Sequence, residues 1–440
     1  MRRTLGPLFA PLVTLLLAIA CVATLSPPAG ARAAHRTRIH VPPGFFGIHD
    51  ASRQAYGHLG FGALRIWDAG AAWSNIETSP GRYDWTQLDS LVRAAQAHHV
   101  KVTLVLGMTP SFYADSRSEP PADVSRFAAY ARAVMARYRD FEGRRGIESY
   151  QVWNEGNVST FWTGTPQQLA RLTAVVARAR HAVDPGATVV APSFAARLRS
   201  QQRWISAYQR QRVDGRHVWR YYDVNALSLY PRETYGSRTG GPEDAIALLG
   251  QVRKRLERAG VPAAVPLWAT EVNYGLPGGQ PGQTTARPIS NRRQVANVLR
   301  TYLLGAARGL ARVYWYRYDW GRVAGGGTLG NTLLTDPDDH SRLTPAGRAV
   351  GTAEHWLDGR LVASPGHHRA CTRDRKGTYT CLVRHGHRVR TILWNPHHRV
   401  RVQVRGATSR QDERGRWTSM RSGNDVVRVG FRPVMVETRR

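Results

Sequence analysis

Eight short runs of apolar and β-branched residues recur between residues 45 and 319, each bounded by turn-forming residues: 45–50, 63–68, 101–107, 150–155, 188–194, 224–230, 267–274 and 313–319. Within them apolar residues follow one another instead of alternating strictly with polar ones, as in strands covered on both faces. Between most of these runs, apolar residues fall at helical spacing. Leu88, Leu91, Val92 and Ala95 share a face in 86–98, as do Val124, Phe127, Ala128, Ala131, Val134 and Met135 in 122–138. Thr165-Pro166 reads as an N-cap followed by proline at the first helical position. Glu243 and Asp244 open a helix that carries Arg253, Lys254, Arg255 and Arg258 towards its end, matching the helix dipole, and Gly260 stops it. Segments 289–307 and 345–357 supply two more helices, and 52–59 is a short helix candidate.

Eight strands alternating with helices over about 310 residues predict an α/β fold, a (β/α)8 TIM barrel. A doubly wound open sheet would call for a glycine-rich phosphate loop after the first strand, and none is there. Past residue 360 the helical period disappears. Short runs at 379–383, 389–394, 400–404, 426–431 and 434–437 are separated by polar turns, predicting a small C-terminal β-sandwich at 361–440. That sandwich is short enough to borrow a strand from residues 35–44.

The first 33 residues stand apart. Arg2 and Arg3 precede a mostly apolar stretch, and Ala31-Arg32-Ala33 fits a small-x-small cleavage site. This predicts a secretory signal peptide over 1–33, a secreted protein and no membrane association after cleavage. The barrel domain would then span 34–360. Export permits a disulfide between Cys371 and Cys381, closing a hairpin. The adjacent pairs His367-His368 and His397-His398 lack the spacing of a metal site, so no metal and no cofactor are expected.

Composition changes the picture in one respect. Lys+Arg number 62 against 31 Asp+Glu, a formal net charge of +31 that falls to +28 without the first 33 residues. Only Lys101, Lys254 and Lys376 are lysines, a skew that fits a GC-rich genome. The surplus would draw polyanions. The arginines are spread through the helices and no nucleic-acid motif is present, so no specific nucleic-acid partner is expected.

In a TIM barrel the chemistry gathers at the C-terminal ends of the strands. Those ends carry His49, Arg65, Trp153-Asn154-Glu155, Tyr230, Glu271 and Trp315. Two glutamates at the mouth of an apolar barrel are costly unless paired or used. Paired carboxylates suit cleavage of a glycosidic bond, where one donates a proton to the leaving oxygen and the other attacks the anomeric carbon. On this reading Arg65 holds Glu271 ionised, unless it pairs with Asp68, and Tyr230 adds a hydrogen bond. Asn154 reaches a sugar 2-hydroxyl. Trp315 floors the sugar, unless it and Trp153 serve packing alone, and His49 completes the substrate contacts.

The segments Leu64-Arg65-Ile66-Trp67-Asp68, Trp153-Asn154-Glu155 and Ala269-Thr270-Glu271 resemble the strand-two, strand-four and strand-seven signatures of clan A glycoside hydrolases. The stretch Ala72-Trp73-Ser74-Asn75-Ile76-Glu77, followed by Gly81-Arg82-Tyr83-Asp84-Trp85, is similar to family 39, the β-xylosidase and α-L-iduronidase group, in a secreted actinobacterial form. The resemblance covers roughly residues 44–320. It implies a retaining mechanism, with Glu155 as acid/base and Glu271 as nucleophile about 5–5.5 Å apart, and a barrel paired with a β-sandwich. One departure is Ser228, two residues before Tyr230, where many clan members carry histidine. The expected partner is a carbohydrate, with an acidic polysaccharide among the candidates. The competing reading is a non-catalytic carbohydrate-binding protein on the same scaffold.

Overall fold

The eight expected strands lie side by side in one parallel sheet. The structure, a computed structural model, describes residues 38–232, 240–275, 289–319, 332–364, 367–421 and 425–439. The segment read as a signal peptide lies outside them, as does nearly all of the loop at 275–288. The strands are β1 (Phe46–Ile48), β2 (Ala63–Ile66), β3 (Lys101–Leu106), β4 (Ser149–Val152), β5 (Thr188–Val190), β6 (Asn225–Ser228), β7 (Leu267–Val272) and β8 (Arg312–Trp315). Each pairs in parallel with the next, β8 pairs with β1, and bridges from Val190 to Val224 and from Ala195 to Ser228 close the ring between β5 and β6. This is the (β/α)8 barrel. Its lower interior is filled by Ala63, Val190, Val224, Ala226, Trp268 and Tyr314. Arg312 lies over the Trp268 ring, 4.2 Å from its centroid, and pairs with Glu148.

The helices are α1 (Trp73–Ile76), α2 (Thr86–Ala97), α3 (Val124–Tyr138), α4 (Pro166–Val183), α5 (Arg199–Gln209), α6 (Pro242–Arg258), α7 (Asn291–Ala307) and α8 (Pro345–Leu357). Thr165 caps α4 in a reciprocal capping box with Gln168. The apolar face anticipated for α2 is buried, as are Phe127, Ala131, Val134 and Met135 of α3, while Val124 and Ala128 are half-buried. The helix expected at 52–59 does not form. There the Asp50 carboxylate accepts hydrogen bonds from the amides of Ser52, Arg53 and Ala55, and this local bonding holds the backbone in a loop. Helix α5 was not anticipated. Its inward face is completed by the buried Gln202 and Gln209, so no apolar helical period marks it in the sequence.

Beyond the barrel, antiparallel strands Cys371–Arg373, Tyr379–His385, Arg388–Trp394, Ala407–Gln411, Trp417–Ser419 and Val434–Arg439 form one sheet. A ribbon of Val400–Gln403 and Val426–Val429 covers one of its faces, with Val427 and Val429 packed against Leu393, Ala407 and Val436. The sheet does take a strand from the N-terminal side: Arg38–His40 pairs with Arg360–Val362, which pairs with Tyr379–His385. It therefore draws on both flanks of the stretch assigned to the barrel. Cys371 and Cys381 face each other across an antiparallel pair and are joined by a disulfide.

Candidate active site

Alternation along β2 puts Ala63 and Arg65 inside the barrel, and the same rule puts Ser149 and Gln151 inside from β4. Arg65 is fully buried and makes four contacts. Its Nε donates to Gln151 Oε1 at 2.7 Å, one terminal nitrogen to Glu271 Oε1 at 2.7 Å, and the other to Asn154 Oδ1 at 2.8 Å. His49 Nε2 lies 3.4 Å away and 3.0 Å from the Thr270 carbonyl oxygen. The alternative pairing of Arg65 with Asp68 is not adopted. Asp68 instead receives hydrogen bonds from Tyr316 and Arg317.

Glu271 owes its direction to a slip in the sheet. Ala269 packs against the helical shell, and strict alternation would send Glu271 the same way. The ladders on both sides shift register here, between Leu227 and Ser228 and between Ala269 and Val272. Such a bulge re-aims a side chain, and the Glu271 carboxylate meets Arg65 and the Tyr230 hydroxyl, which donates at 2.8 Å. On β4 the chain turns sharply instead. Trp153 and Glu155 have φ of 61° and 39°, in the left-handed region that non-glycine residues avoid. The Glu155 amide donates to Ser193 Oγ. The strain sits at the carboxylate-bearing turn, a common place for it in functional sites.

The two glutamates share one buried environment. Burial pushes the Glu155 carboxyl up, against the pull of the Ser228 hydroxyl, Arg197 and Arg65. Burial pushes Glu271 up to about 7, opposed by Arg65 and reinforced by the charge of Glu155. Two carboxyls coupled in this way titrate as a pair. Direct contact with the Arg65 guanidinium and the Tyr230 hydroxyl favours the ionised form of Glu271. Burial and the neighbouring Arg65 drive His49 well below its ordinary value, so it stands neutral. Asn154 Oδ1 accepts from Arg65 and Ser193, while its buried Nδ2 has no partner among the described residues.

The structure thus gathers Glu155, Glu271, Arg65, Asn154, Tyr230 and His49 at one end of the barrel. It turns two expected contacts away. Trp315 packs between Tyr274 and Tyr302 of α7 and is fully buried, because position 315 falls on the outward side of β8. Trp153 packs on Trp162 and donates to the Phe161 carbonyl, also behind the barrel wall. The inward position after Trp315 belongs to the half-buried Tyr316, whose ring meets His49 edge-on. Tyr316, Ser193 and Gln151 were not singled out from the sequence. Inward alternation through 312, 314 and 316 would have pointed to Tyr316. The stretch from Trp73 to Trp85 is structural: Glu77 binds the Trp73 indole, the Tyr113 hydroxyl and the Gly81 amide.

No family model matches the chain. A β-xylosidase of Geobacillus stearothermophilus is 26% identical over 250 residues, covering 49% of this chain and 45% of that protein. The chain thus spans about half the length of this curated relative. Among solved structures, a family 39 glycoside hydrolase of Bacteroides cellulosilyticus superposes with a TM-score of 0.65 at 15% identity, over 91% of this chain and 82% of that one. A monomeric β-xylosidase of Caulobacter crescentus gives 0.61 at 17% identity, over 91% and 97%. A glucosidase of Croceicoccus marinus gives 0.64 at 13% identity, over 92% and 96%. These likenesses extend beyond the barrel, and together with the sequence match they show a chain that resembles the family 39 glycoside hydrolases of clan A.

Proposed function

We propose that the protein is a secreted, retaining glycosidase that cleaves O-glycosidic bonds of a poly- or oligosaccharide. The observation that carries this reading is the arrangement around Arg65, which braces the Glu271 carboxylate and holds Asn154, the residue before Glu155, by its Oδ1. Glu271, held ionised by Arg65 and Tyr230, attacks the anomeric carbon. Glu155 gives its proton to the departing oxygen, and the C–O bond breaks as a glycosyl ester forms on Glu271. Glu155, now ionised, takes a proton from water, the water oxygen bonds to the anomeric carbon, and the ester bond opens. Asn154 Nδ2 donates to the sugar 2-hydroxyl, a contact that strengthens as positive charge develops on the ring. Tyr316 takes the place intended for Trp315 beside the sugar. The relatives named as β-xylosidases favour a small neutral sugar at the cleaved position, and the basic surface favours an acidic polymer as its source.

The test is a screen of aryl glycosides and polysaccharides with wild type, Glu155→Gln and Glu271→Ala in parallel. Turnover by wild type, with none by Glu271→Ala and a glycosyl adduct trapped on Glu271, supports the proposal. Sugar binding without turnover by wild type would leave a carbohydrate-binding protein instead.

A further inference from the structure

Helix α5 begins where the loop after β5 leaves the open end of the barrel. That loop carries Ser193, bonded to the Glu155 amide, and Arg197, whose charge acts on the Glu155 carboxyl. Arg197 also lies over the Tyr230 ring, at 5.4 Å from its centroid. From there Arg199, Arg203, Ser206 and Arg210 follow at intervals of four, three and four residues, and so share one face of the helix. The eleven residues of α5 span about 16 Å. On the neighbouring helix α6, Arg255 and Arg258 face the same furrow. Between the two helices lies a cavity of about 330 Å³, lined by Arg203, Ser206, Arg210, Arg255, Arg258 and Ala259. Four guanidiniums converge there and no carboxylate is in the lining.

Several arginines elsewhere around the barrel face acids. Arg93 pairs with Glu142, Arg137 with Asp89, Arg145 with Asp184, Arg178 with Asp214 and Arg180 with Asp223. Among the described residues, none of the four arginines of the α5–α6 cavity has an ion-pair partner. Arg255 is instead oriented by neutral groups: its Nε donates to Gln202 Oε1 at 3.2 Å and a terminal nitrogen to Ser206 Oγ at 3.3 Å. An arginine held by neutral partners, beside three more of the same sign, keeps its charge uncompensated for an incoming anion.

The geometry points to a secondary binding groove for a carboxylate-bearing glycan, running along α5 from the leaving-group side of Glu155 to the α5–α6 cavity. A single small oxyanion would meet one end of this row. A chain with a negative charge on each sugar meets the whole of it, and the row starts where a polymer would leave the site. This inference rests on the glycosidase reading and extends it to the polymer.

The probe is hexagalacturonate, with xylohexaose as its neutral counterpart, titrated calorimetrically into the full-length protein carrying Glu271→Ala so that nothing is hydrolysed. Hexagalacturonate binds and xylohexaose does not bind at the groove. Arg203→Gln combined with Arg258→Gln weakens hexagalacturonate by about tenfold, the effect of losing two exposed ion pairs. The wild-type affinity falls between about 50 mM and about 500 mM salt, and falls less in the double variant. Both arginines are exposed, and an unchanged melting temperature checks the fold. A single Arg210→Gln variant should show a smaller loss of the same kind. Equal affinity in wild type and double variant overturns the groove, as does inorganic phosphate or a single-stranded DNA oligomer binding as tightly as the hexamer. With Glu271 restored, aryl-glycoside turnover separates the two readings. Turnover without groove binding removes only the groove, and groove binding without turnover removes only the glycosidase.

Discussion

Arg65 directs three nitrogens to groups on or just after β4 and β7: Gln151, Asn154 and Glu271. Its loss would free Glu271 to take up a proton and release Asn154 at the same time. The glutamates themselves give separable outcomes. Glu271→Ala should remove turnover altogether with the fold intact, measured as aryl-glycoside hydrolysis alongside circular dichroism. Glu155→Gln should slow substrates with poor leaving groups by roughly 10²–10⁴-fold, and activated aryl glycosides far less, because their leaving groups need no proton. Tyr230→Phe bears on pH. The Tyr230 hydroxyl stabilises the ionised form of Glu271, so without it the Glu271 pKa rises. The acid limb of kcat/KM, which requires ionised Glu271, should then move to higher pH. An unmoved limb would show that Glu271 does not set it. A second carboxyl carries a stability prediction. Burial raises Glu354 to about 7 from an ordinary 4.5. Between those values the unfolded chain ionises and the folded one does not, so stability is lost as pH rises through that window. Glu354→Gln should raise the melting temperature by about 4 °C at pH 8 and change it little at pH 4.

At the scale of elements, the barrel strands and the regular helices were legible because their periodicity is imposed by burial, which the chain writes as apolar spacing. Helix α5 was not legible, since glutamines, hydrogen-bonded to the Ala196 carbonyl, to Gln251 and to Tyr222, stand where apolar residues would have marked the inner face. Trp315 was misplaced for a related reason. Its position near the end of β8 is readable, but which wall it faces depends on the register of the whole strand. The glutamates were found because carboxylates are rare at such positions, although the slip that turns Glu271 inward leaves no mark in composition. Close packing inside the barrel is tested at Gly47. A Cβ there would fall 2.5 Å from Tyr314 Cδ1, and Tyr314 is held by Thr103 and Arg312. Gly47→Ala should cost about 1–3 kcal/mol in chemical denaturation.

Across the whole molecule, the C-terminal sheet is fastened to the barrel helices by partly buried polar contacts. Glu243, in the first turn of α6, accepts from Arg300 of α7 and from the Trp394 indole of the sheet, while Arg300 also donates to the Phe431 carbonyl. Arg390 reaches the carbonyls of His355 and Asp358 at the end of α8. Removing Glu243 from this set leaves the nearly buried Arg300 without its carboxylate. Glu243→Ala should destabilise by on the order of 3 kcal/mol, visible as a lower denaturation midpoint or a separate early transition of the sheet. This fastening was not readable in the sequence, because Glu243 looks there like an ordinary acidic residue at a helix start.

The short strand Arg38–His40 lies in the C-terminal sheet, against Arg360–Val362, before the chain enters the first barrel strand. The polypeptide is therefore stitched at both of the barrel's ends to the same neighbour. A fragment cut at residue 360 would carry away one border of that neighbour, and a fragment begun there would arrive without it. Anyone exchanging catalytic barrels between such proteins must move residues 38–40 with the sheet they complete. The smallest interchangeable piece follows this lacing, not the linear boundary between helix-rich and helix-poor sequence.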